Sequence, residues 1–123
     1  MTGRAPTAVL ETLLANAARL ERGALDDISP QALLDAAEIH QVVPLAARAL
    51  RASAPDTRHH EAMHRAAAAW TLREAAEREA IAAFLDAARD VPLVFFKGAS
   101  MAYAAYRTPA LRMKEDWDVL AGP

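Results

Sequence analysis

The chain has 123 residues, 54% of them hydrophobic, only 6% aromatic and none of them cysteine, which suits one core of ordinary size and excludes disulfides, thiolate metal sites and cysteine nucleophiles. A formal net charge of −2 supplies no global attraction to nucleic acid or an anionic membrane. No uninterrupted apolar run reaches membrane-spanning length, so a cytoplasmic protein with no membrane partner is expected.

Alanine dominates the apolar content, which favours closely packed helices. Val9, Leu10, Leu13, Leu14, Ala17 and Leu20 recur at helical spacing and predict a first helix over about 7–22, with Gly23 at its C-terminal cap. Ser29-Pro30 reads as an N-cap followed by a first-turn proline and opens a second helix over about 31–39. Pro44 starts a third, through about residue 52, which Pro55 stops.

Asp56 is placed to cap a long helix over about 57–90, a window without Gly or Pro. On it Met63, Trp70, Ile81, Phe84 and Leu85 fall in one stripe. Glu74 and Glu77 share that stripe, where they snorkel, pair with arginines or mark a functional groove. Val91-Pro92 ends the helix. Leu93-Val94-Phe95-Phe96 has the pattern of a buried strand, Lys97-Gly98-Ala99-Ser100 a turn, the residues from Met101 to about Tyr106 a short helix, Thr108-Pro109 a loop, and Trp117-Asp118-Val119-Leu120 a second strand. The fold class is therefore α+β and predominantly helical: about four helices, then strand, helix, strand.

A strand that enters a glycine turn and then a helix presents backbone N–H groups to a phosphate. Asp116 and Asp118 flank Trp117, so on a strand both carboxylates point to one face, where two hard oxygen donors suit Mg²⁺. An Asp-x-Asp arises by chance in about half of chains with this composition, so the information lies in the combination and its order.

That combination, VPLVFFKGASMAYAAYRTPALRMKEDWDVL, resembles a bacterial nucleotidyltransferase family of largely uncharacterised members within the polymerase-β-type superfamily. Lys97-Gly98-Ala99, Tyr106, Pro109, Arg112 and Asp116-Trp117-Asp118 match its pattern in order. The helical stretch AAEIHQVVPLAARAL extends the resemblance to about 33–120. The chain then reads as one continuous structural unit, a helical region at 1–90 followed by a partial nucleotidyltransferase core at 91–123. The resemblance further implies Mg²⁺-dependent, two-metal transfer of a nucleotide from a nucleoside triphosphate to an unknown acceptor. Asp116 and Asp118 would be the catalytic metal ligands. Gly98, Ala99 and Ser100 would cradle phosphates, with Lys97 or Arg112 adding a charge-assisted contact. A solvated strand-end Lys97 and a surface Arg112–Glu115 ion pair are the plainer readings. Tyr103, Tyr106 and Trp117 read as packing residues.

Two departures qualify the match. Lys114-Glu115 stands before the first aspartate, where the superfamily usually has a small residue. The third carboxylate of polymerase-β-type sites comes from a later strand, and no acidic residue follows Asp118. The expectation is thus an amino-terminal portion of a longer protein, with a noncatalytic remnant or helical interaction module as the alternative. A distant alternative is a zinc metallopeptidase, because His60-Glu61-Ala62-Met63-His64 satisfies His-Glu-x-x-His on a helix. A third ligand from Glu74, Glu77 or Glu79 would lie about 15 Å or more along the same helix. His40 and His59 read as surface or loop residues.

Overall fold

The computed structural model describes residues 5–96, 113 and 118–122. The chain divides into two compact units, Met1–Ala68 and Ala69–Pro123.

The first unit is helical. Helix α1 spans Pro6–Ala15 and opens on a proline, whose missing N–H costs nothing at a helix start. It is shorter than the spacing predicts. Asn16 adopts an extended conformation, and its side-chain oxygen accepts the Ala18 N–H at 3.2 Å, which starts a 3₁₀ turn at Ala17–Arg19. Asparagine competes for backbone hydrogen bonds in this way and interrupts an otherwise continuous pattern. A short helix, α2, follows at Arg22–Asp26. Gly23 therefore lies inside a helix rather than at the expected cap.

Helix α3 covers Pro30–Ile39, and the Ser29 hydroxyl accepts the Ala32 N–H at 3.0 Å, as the Ser-Pro signature predicts. Its end is a Schellman turn. The Val42 N–H donates to the Ala37 carbonyl and the Gln41 N–H to that of Glu38, while Gln41 takes the left-handed conformation with φ 55°. Helix α4, Val43–Ser53, begins directly afterwards with Pro44 in its first turn. Helices α1, α3, α4 and the 3₁₀ turn pack on one another. Val9, Leu13, Leu33, Val43 and Leu50 are fully buried, and Ala37 and Ala46 let the helix backbones approach closely, the role expected of an alanine-rich chain.

Helix α5 runs from Arg58 to Ala87, passing from the first unit into the second. Thr57 serves its start in place of Asp56. Its hydroxyl donates to the Ala54 carbonyl at 2.8 Å and accepts the His60 N–H at 3.1 Å. Met63 is fully buried, but Phe84 and Leu85 of the same predicted stripe are exposed. Both stripe glutamates pair with arginine one turn along the helix, Glu74 with Arg78 and Glu77 with Arg73.

In the second unit, strands β1 (Leu93–Phe96) and β2 (Asp118–Ala121) form an antiparallel pair. The α+β class with helix predominating is what the sequence implies. Among the described residues no helix is long and apolar enough to cross a membrane.

Candidate functional site

The β1–β2 register places Asp118. Leu93 pairs with Ala121, Val94 with Leu120, Phe95 with Val119 and Phe96 with Asp118. Beyond Ala121 the Gly122 N–H donates to the Pro92 carbonyl at 2.7 Å, which continues the pairing by one bond. A Cβ on Gly122 would come within 3.1 Å of the Pro92 Cβ, so a side chain there would push the proline ring by a few tenths of an ångström. The glycine and proline hold one end of the two-stranded pair, and Asp118 stands at the other, opposite the last residue of β1.

Asp118 is half-buried. Alternation along the strands puts it on the same face as Val94 and Leu120, which pair directly and are 62% and 63% exposed. Lys97, Gly98, Ala99, Ser100, Arg112 and Asp116, predicted as site residues, lie outside the described residues, as do Tyr103, Tyr106 and Trp117. The register still relates Asp118 to the predicted phosphate turn in the backbone sense, because Phe96, its partner, is the residue before Lys97. A carboxylate at this strand end has the hard oxygen donors that Mg²⁺ takes, so Asp118 fits a role as ligand.

The His-Glu-x-x-His motif occupies the first two turns of α5. The His60 and His64 rings stack with centroids 5.6 Å apart and planes at 26°. Glu61 instead engages Arg65 at 3.0 Å. Among the described residues no group of three His, Cys, Asp or Glu side chains could hold a metal ion, and none of them gives these histidines the third protein ligand of a catalytic zinc centre. His59 is half-buried rather than a loop residue, and its Nε2 bonds the Ile28 carbonyl. Since a carbonyl only accepts, that nitrogen carries the proton.

A cavity of about 780 Å³ in the first unit, lined on one side by 25–30 and on the other by 54–59, coincides with no motif in the sequence. Asp26, Asp27, Asp56 and Arg58 stand at its wall. It joins the turn before α3 to the turn before α5, a long-range closure that no local pattern encodes.

The strand pair carries an acidic residue at the end leading into Lys-Gly and is preceded by a long helix, the order that the sequence resemblance implies. Comparison with family models agrees: the model described as "Uncharacterised nucleotidyltransferase" matches residues 26–123, and the chain belongs to that family. The match takes in α3, α4, α5 and both strands, somewhat more than the 33–120 legible by eye. No curated protein and no solved structure matches the chain.

Proposed function

We propose that the chain takes part in Mg²⁺-dependent transfer of a nucleotide from a nucleoside triphosphate to an acceptor, with Asp116 and Asp118 as the metal ligands. The reading is carried by the family match over 26–123 together with Asp118 on β2 opposite Phe96. The strand fixes the Asp118 backbone, so its carboxylate is held by a regular element and not by a loop. Val94 and Leu120, on the same face as Asp118, are exposed, which supports a ligand approaching from that side. Lys97, Gly98, Ala99 and Ser100 would receive the phosphates through backbone N–H groups and the lysine charge, and Arg112 would add a guanidinium fork. Bound Mg²⁺ would supply positive charge that offsets the negative charge of the triphosphate at the reacting phosphorus.

Titration calorimetry of the purified chain tests this. MgATP or MgGTP should bind, and Asp118→Asn, which keeps the shape but removes the charge, should weaken binding by more than about tenfold, roughly 1.4 kcal/mol. Folded wild-type chain that binds neither nucleotide with Mg²⁺ would overturn the reading in favour of a noncatalytic helical interaction module.

A further inference from the structure

We draw no further inference here: the strongest candidate, the cavity between the turns that precede α3 and α5, carries nothing, because its carboxylates Asp26, Asp27 and Asp56 are an exposed acidic cluster and its polar side chains Ser29, Thr57 and His59 bond within the chain, so that nothing there points to a ligand.

Discussion

Glu74 is the one buried charged residue among those described, at 4% exposure. A carboxylate removed from water needs charge-assisted hydrogen bonds, and Arg78 donates to both of its oxygens. The neighbouring pair Arg65–Glu61 has the same one-turn spacing, but its side chains are 79% and 67% exposed, so solvent screens most of what the pair could contribute. The two pairs look equivalent in the sequence, since i,i+4 spacing says nothing about burial. They should not behave equivalently. Arg78→Ala should lower stability by about 1 kcal/mol, at the low end of the range for a buried acceptor because Arg78 itself is 59% exposed. Arg65→Ala should lie within about 0.5 kcal/mol of wild type. Urea denaturation of both variants checks the order, and equal effects would mean that burial of Glu74 does not raise the value of its pair. The same limit governs the candidate site. Asp118 was legible because two-residue alternation and an apolar neighbourhood mark a strand, but its half-burial and its register against Phe96 depend on pairing across 22 positions of sequence.

At the scale of elements, the caps show where local chemistry suffices. Ser29-Pro30 specifies the start of α3 through adjacent residues alone, and the structure has that start. The end of α1 departs from the apolar spacing, which persists through Leu20, because Asn16 takes the Ala18 N–H and breaks the helix first. Glycine is then misleading in two places. Gly23 sits inside α2 without a positive φ, and an added Cβ would meet nothing within 4 Å. Gln41 holds the left-handed position of the Schellman turn, where glycine is ordinarily found. Gly23→Ala should therefore stabilise the protein by about 0.5–1 kcal/mol, whereas a glycine cap would be destabilised by the same change. Gln41→Gly should also stabilise, by up to about 1 kcal/mol, because relief of left-handed strain outweighs the added freedom of the unfolded chain. Thermal denaturation of the two single variants reads both signs. A loss of stability in Gly23→Ala would restore the cap reading of that glycine.

At the scale of the whole molecule, the helical core and the proposed site fall in different compact units. The residues that fill the helical core, Val9, Leu13, Leu33, Val43 and Leu50, all belong to the first compact unit, whereas Asp118 and the 97–112 stretch belong to the second. Leu50 is fully buried, so Leu50→Ala should cost about 2–5 kcal/mol, the loss of apolar contact plus a residual cavity. Stability in such a protein is not uniform, and a perturbation is felt first in the unit that contains it. If the nucleotide chemistry resides in the second unit, Leu50→Ala should lower the denaturation midpoint yet leave the MgATP dissociation constant within about twofold when measured well below that midpoint. Asp118→Asn should do the reverse, because a half-buried carboxylate exchanged for its isosteric amide removes a ligand without opening a cavity. Paired calorimetry and denaturation on the two variants supply all four numbers. A Leu50→Ala chain that stays folded but loses nucleotide affinity would show that the helical unit contributes to binding directly, and the site would then have to be redrawn to include it.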